Sequence, residues 1–279
     1  MATTEAVKAR TLLAECSAEF AGTFILILFG VGVVAQVVAG GIGDHDSIAW
    51  AWGIGVTMGV YVSARISGAH INPAVTIALA AFRGFAWRKV LPYIGAQFLG
   101  AFAAALVVRW NYDKVLEKFD PGLTIKSQGV FSTLPGNGST ELGVGRWGGL
   151  LDQIIGTAIL LMVILAIVDL RNTAPAANLG PFIIGLLVVG IGMAWGTLAG
   201  YAINPARDFG PRLASAITGY GGQAFKDQFG DPYFWVPIVG PIIGALIGAF
   251  LYDLLVGRNL PVGDVDEEPG RVPDEETAA

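Results

Sequence analysis

The chain has 279 residues, 54% hydrophobic and 14% charged; a soluble domain carries about 25% charged residues, so there is too little polar surface here to cover a water-soluble globule. The formal net charge of −5 comes largely from residues 264–276, which excludes a basic nucleic-acid-binding face. A single cysteine, Cys16, excludes an internal disulfide and a thiolate metal cage.

Residues 1–10 carry Lys8 and Arg10 and lead into the first uncharged run, 20–43. No small-residue cleavage site follows, so this run is expected to remain as an uncleaved helix. Glu15 and Glu19 stand at its start. Asp44, His45 and Asp46 come next and read as a solvated cluster rather than a metal site. The second uncharged run is 47–64. Beyond it lie Ser67, Gly68, Ala69 and His70, a glycine-bearing stretch suited to extended chain, and then Asn72, Pro73 and Ala74. Asn followed by Pro starts helices, because Asn caps orphan N–H groups and Pro is pre-set for the first turn. Only about ten apolar residues separate Asn72 from Arg83, too few to span a bilayer.

A third run, 90–108, precedes a long connection, 109–146, in which Asn137, Gly138 and Ser139 form a glycosylation-type triplet of the sort that arises by chance. Runs 153–168, 172–206 and 232–252 follow. All six are near or above the roughly 17–25 residues a helix needs to cross about 30 Å of hydrocarbon. Trp50, Trp87, Trp110, Trp147 and Trp235 lie near run ends, as an interfacial belt requires, and Trp52 does not. Gly240, Gly244 and Gly248 have the four-residue spacing of close-packed membrane helices. The tail, 261–279, is acidic and expected to be disordered. Lys8, Arg10, Arg83, Arg88, Lys89, Arg171 and Arg258 flank the runs on one side, which puts both termini in the cytoplasm of a multi-pass plasma-membrane protein, the inner membrane if bacterial.

The chain repeats itself. Ile71, Asn72, Pro73 and Ala74 recur as Ile203, Asn204, Pro205 and Ala206, displaced by 132 residues, and the Glu19–Thr23 stretch is echoed around Gln153–Thr157, displaced by 134. Two halves of three spans must lie in opposite orientations, because three is odd; such inverted repeats place their site near the midplane. The predicted fold is an all-α membrane protein of six transmembrane helices and two re-entrant half-helices. Its channel domain occupies 11–260, as repeat one (11–110), a connecting loop (111–147) and repeat two (148–260). Irregular backbone at membrane depth survives only inside protein or against a water-filled cavity, so the half-helix starts should meet in a pore.

Paired Asn-Pro-Ala motifs within an inverted repeat resemble the major intrinsic protein family, the aquaporins and glycerol facilitators, over roughly residues 10–262. The resemblance implies a selectivity filter of Trp52, Gly192, Tyr201 and Arg207. It also implies a ladder of pore-facing carbonyls from Gly68, Ala69, His70, Gly200, Tyr201 and Ala202. Glu19, Gln153 and Asp208 would brace the loops, with Asp208 also offsetting the charge of Arg207. Water-selective members usually carry histidine at the Gly192 position, whereas glycerol facilitators have a small residue and two aromatics. Tyr112, Asp208, Arg212, Pro237 and Ile238 are similarly glycerol-like. Tyr201 in place of the common Phe, and Gln153 in place of a common Glu, depart from the pattern; Arg65 has no role by resemblance.

The implied activity is passive conduction of glycerol, small polyols, urea and water by a homotetramer in the lipid bilayer, without ions, protons, cofactor or metal. A mainly water-selective channel and a coupled secondary transporter are the alternatives; Gly192 stands against the first, and neutral Asn at the midplane against the second. Half-helix dipoles are a known barrier to cations and protons in aquaporin-type channels. With half a charge at each N-terminus, the repulsion at ~4 Å and an effective dielectric near 20 is about 2 kcal/mol per terminus. No nucleophile–base or paired-carboxylate arrangement suggests an enzyme.

Overall fold

A computed structural model describes residues 11–261; the predicted cytoplasmic segment 1–10 and the acidic tail from 262 onward lie outside them. Six helices among the described residues are long and apolar enough to cross a membrane: Leu12–Val38, His45–Ser67, Trp87–Asn111, Arg146–Val168, Gly180–Ala199 and Val236–Leu255. Two short helices, Pro73–Phe82 and Pro205–Ser215, sit between spans two and three and between spans five and six. At 1.5 Å per residue each covers about half of the hydrocarbon thickness. They are the two half-helices.

The spans differ from the uncharged runs where charge is absorbed inside the protein. The first helix begins at Leu12 rather than Phe20, with Glu15 and Glu19 buried on its face. Glu15 is held by Lys89 Nζ at 2.8 Å and by the Tyr93 hydroxyl at 3.1 Å. The fourth helix likewise starts at Arg146 and carries the buried Asp152. The run 172–206 contains a single helix, Gly180–Ala199; its first part is a loop around Pro175 and its last part is the extended entry to Asn204. Hydropathy alone joined these segments because all of them are uncharged.

Packing follows a twofold pattern. Span one packs on spans two and three, and span four on spans five and six. The second half-helix packs on span three and the first on span six, while spans two and five cross each other. Exchanging the halves leaves this pattern unchanged. Glycine makes the close crossings possible. A Cβ on Gly53 would sit 2.5 Å from the Gly185 carbonyl oxygen, and one on Gly185 would sit 2.6 Å from that of Gly53. Side chains on Gly244 and Gly248 would strike the carbonyls of Ile154 and Ala158 on span four, so the predicted glycine stripe is a helix-packing surface. Trp50, Trp87, Trp110 and Trp147 are exposed, as the belt requires, and Trp52 is buried.

Candidate functional site

Each half-helix begins at an asparagine with extended backbone. The side-chain oxygen of Asn72 accepts from Ala74 N at 2.9 Å, and that of Asn204 accepts from Ala206 N at 3.0 Å and Arg207 N at 3.2 Å. Pro73 and Pro205 occupy the first helical position. The two amides also reach across the molecule: Asn72 Nδ2 donates to the Ile203 carbonyl and Asn204 Nδ2 to the Ile71 carbonyl, both at 2.8 Å. One N–H of each amide is therefore occupied by the opposite loop, and each amide carries a second N–H. The two N-termini are tied together at the centre of the fold.

Spans two and five end on left-handed Gly68 and Gly200, after which Ala69 and Ile71, and Tyr201 and Ile203, also take positive φ. Left-handed backbone costs a non-glycine residue about 1–2 kcal/mol, so each loop needs an anchor. For the first loop it is Glu19, which is fully buried. Its carboxylate accepts from His70 N at 2.9 Å, Ile71 N at 2.7 Å, Ser67 Oγ at 2.6 Å and Gln97 Nε2 at 2.7 Å. For the second loop it is Gln153, whose Oε1 accepts from Ile203 N at 2.8 Å and whose Nε2 donates to the Ala199 carbonyl at 2.9 Å.

A cavity of about 460 Å³ runs past these loops. Spans one, two, four and five supply its apolar lining, including Leu26, Val56, Val60, Leu160, Ile184 and Val188. Gly68, Ala69, His70, Ile71 and Asn72 of the first loop and Tyr201, Ala202, Ile203 and Asn204 of the second supply its polar lining, and spans three and six contribute nothing. Trp52 and Arg207 complete it. The Arg207 guanidinium carbon lies 4.0 Å from the centroid of the Trp52 ring, in cation–π contact. No solute fits between them. Gly30 on span one leaves room for the indole, since any side chain there would overlap it. Trp52 Nε1 and the Tyr201 hydroxyl are buried without a protein partner.

The absence of a side chain at Gly192 does not leave open space: a Cβ there would meet the Tyr201 ring at 2.9 Å and Ala49 Cβ at 3.1 Å, so the aromatic fills the notch. Of the six residues expected in the carbonyl ladder, Gly68, Ala69, His70, Tyr201 and Ala202 line this cavity. Asp208 sits beside Arg207 in sequence but pairs with Arg212, whose Nε donates to it at 2.8 Å with both side chains fully buried. Its other oxygen accepts from Thr133 N and Oγ1 at 2.7 and 2.6 Å. Asp208 thus braces the connecting segment, with Arg212 also donating to the carbonyls of Ala224 and Thr133.

His70 packs its ring against Phe85 and Tyr93, and its Nδ1 lies 3.2 Å from Thr76 Oγ1. Other parts of the site were not foreseen. Gln97 could have been found, because a glutamine in mid-span must have a partner. Asn137, read as a chance triplet, donates to the Gly196 carbonyl at 3.0 Å. His45, read as solvated, has Nε2 at 2.9 Å from the Gly192 carbonyl. Nothing local in the sequence signals either contact.

Known proteins share this arrangement. The major intrinsic protein family model matches residues 6–252. A probable aquaglyceroporin-2 of Gibberella zeae is 46% identical over 87% of this chain and 72% of its own length. The glycerol uptake facilitator protein of Pseudomonas aeruginosa is 44% identical over 96% and 99%. The crystal structure of the aquaglyceroporin from Plasmodium falciparum superposes with a TM-score of 0.78 at 34% identity, covering 88% of this chain and 97% of that one. On sequence, span count and site geometry together, this multi-pass membrane chain belongs to the major intrinsic protein family.

Proposed function

We propose that the protein is a passive channel for glycerol and other small neutral polyols, with water, and that it excludes ions and protons. The observation that carries this reading is the mixed lining of one cavity: apolar residues of four spans together with both capping Asn residues, the loop residues before them and Arg207. Glycerol has carbon-bound hydrogens along one edge and hydroxyls along the other, so a tube with this division lets it exchange water for protein partners along its whole length. Arg207 supplies guanidinium N–H groups that make no side-chain hydrogen bond or ion pair to the described residues, and its planar fork suits adjacent hydroxyls. The relatives named as glycerol uptake facilitators and aquaglyceroporins point the same way.

The filter is assigned to Trp52, Gly192, Tyr201 and Arg207, with Gly192 acting through the room it gives Tyr201. Exclusion of cations rests on the paired half-helix N-termini and on Arg207, while a neutral polyol escapes that barrier. Urea is a further candidate solute on size and neutrality. A homotetramer with one pore per subunit and cytoplasmic termini complete the proposal. Stopped-flow light scattering on proteoliposomes tests it: a glycerol gradient should relax much faster than in empty vesicles while an enclosed pH dye stays constant. Glycerol movement no faster than in empty vesicles, or movement accompanied by protons, would reject it.

A further inference from the structure

His45 lies outside the cavity lining, yet it touches two residues of the assigned filter. It is the first residue of span two, a helix start fixed by Asp44, whose carboxylate accepts from Ser47 N at 2.9 Å while Ser47 Oγ lies 3.3 Å from Asp44 N. Ala49 and Trp52 follow at four and seven residues, which at 3.6 residues per turn puts all three on one face of the helix. That face meets span five where it carries Gly192 and Gly196. Ala49 closes the Gly192 notch from one side. The His45 ring covers the next turn, where a Cβ on Gly196 would lie 2.5 Å from its Nε2. Only glycine at 196 admits the imidazole.

The ring has two contacts in this niche. Nε2 is 2.9 Å from the Gly192 carbonyl oxygen. A carbonyl only accepts, so Nε2 carries the proton. The ring also stands edge-on to Tyr201, with centroids 6.4 Å apart and planes at 83°. Tyr201 is thereby confined between Gly192, Ala49 and His45, and its own hydroxyl has no protein partner to hold it. In the filter assigned above, the position of the Tyr201 ring would set how much of a solute is admitted.

We infer that His45 is a positioning residue of the selectivity filter, holding the Tyr201 ring in the Gly192 notch through its hydrogen bond to the Gly192 carbonyl. The inference rests on the filter assignment made above. It concerns discrimination between solutes rather than flux as such. A ring free to tilt out of the notch changes the aperture for a longer polyol more than for glycerol.

The test compares glycerol with a five-carbon polyol in proteoliposomes containing wild type, His45→Leu, His45→Gln and Tyr201→Ala. Leucine fills the niche without a donor, and glutamine keeps one. His45→Leu should change the glycerol-to-pentitol permeability ratio by at least about threefold, a modest change in barrier, and His45→Gln should return it to within about twofold of wild type on the same scale. His45→Ala takes the place of His45→Leu if the latter does not reach the membrane folded. A ratio unchanged in the leucine or alanine variant but altered in Tyr201→Ala would overturn the role of His45 and leave the filter in place. A ratio unchanged in all variants would overturn the filter assignment itself. Failure of folded His45→Gln to restore the ratio would show that the hydrogen bond is not what positions Tyr201.

Discussion

The two re-entrant loops share one backbone and differ in what holds it. Both have left-handed residues at the same two steps, both end on a capping Asn, and each Asn donates to the other loop. Yet Glu19 gathers four donors into one buried carboxylate, whereas Gln153 makes two bonds, one accepting and one donating. The second loop and the elements around it take further support from elsewhere. Asp208 and Arg212 tie its half-helix to Thr133, and Asn137 and His45 reach the carbonyls of Gly196 and Gly192 on span five. The first loop is anchored from within its own repeat. The second, which presents Tyr201 and Arg207, is framed by the connecting segment and by span two. The same backbone demand has been met by two chemistries, and three of the four residues assigned to discrimination, Gly192, Tyr201 and Arg207, lie in the half with the distributed brace.

Stability should expose this difference most strongly. Glu19→Ala strands the His70 and Ile71 N–H groups and leaves the Ser67 hydroxyl and the Gln97 amide with only their second partners, Ser63 O and Thr76 Oγ1; each buried unsatisfied group costs about 1–3 kcal/mol. Gln153→Ala strands one N–H and one carbonyl. We predict that Glu19→Ala either fails to accumulate folded in the membrane or melts far below Gln153→Ala in detergent. Equal melting temperatures for the two variants would contradict the unequal anchoring.

Function should expose the other side of it. Arg207→Val removes the full charge stacked on Trp52, at a position with no counterpart in the first loop. The expected outcome is poorer discrimination among solutes and a measurable cation or proton leak across proteoliposomes. A folded Arg207→Val protein with wild-type selectivity and no leak would remove Arg207 from the filter.

The smallest effect is expected within repeat two, where spans four and six end side by side. The Tyr252 hydroxyl on span six donates to Asp169 at 2.8 Å, just past the end of span four. Hydrogen bonds from the Arg171 side chain and then from Tyr252 hold the Asp169 carboxyl well below the usual carboxylate range. A depressed carboxyl contributes stability above its unfolded pKa, about 3.9, and loses it only as pH falls through the lower folded value. Tyr252→Phe should therefore lower stability by about 0.5–1.5 kcal/mol, equally at pH 5 and pH 8. A loss that appears at only one of these pH values would contradict the sign assigned to Asp169.

Much of this was legible in the sequence because bilayer physics leaves few choices. Uncharged runs gave the spans, the recurrence of Ile-Asn-Pro-Ala gave the inversion, and ten residues between Asn72 and Arg83 could only make a half-helix. The carboxylate of Glu19 had to be spent on something inside the protein. What escaped were contacts between segments far apart in the chain. The direct ion pair of Asp208 is with Arg212, because a partner one helical turn away can fold back onto it while the adjacent side chain points to another face. The filling of the Gly192 notch by Tyr201 also escaped, because a missing side chain says nothing about which neighbour enters the space. His45 and Asn137 carry no local pattern, since their partners lie 147 and 59 residues away.

The central claim is that the room left by Gly192 gives the filter its polyol preference, and Gly192→His tests it most directly. The structure sharpens the expectation, because a side chain at 192 would have to expel the Tyr201 ring before reaching the pore. Glycerol would then lose apolar contact and hydrogen-bond partners together, a cost of about 1–3 kcal/mol, while water could bond the new imidazole. Paired shrinkage and swelling measurements on wild-type and variant proteoliposomes should show the glycerol-to-water permeability ratio falling at least about tenfold. An unchanged ratio in folded Gly192→His protein would mean that the filter lies elsewhere in the channel.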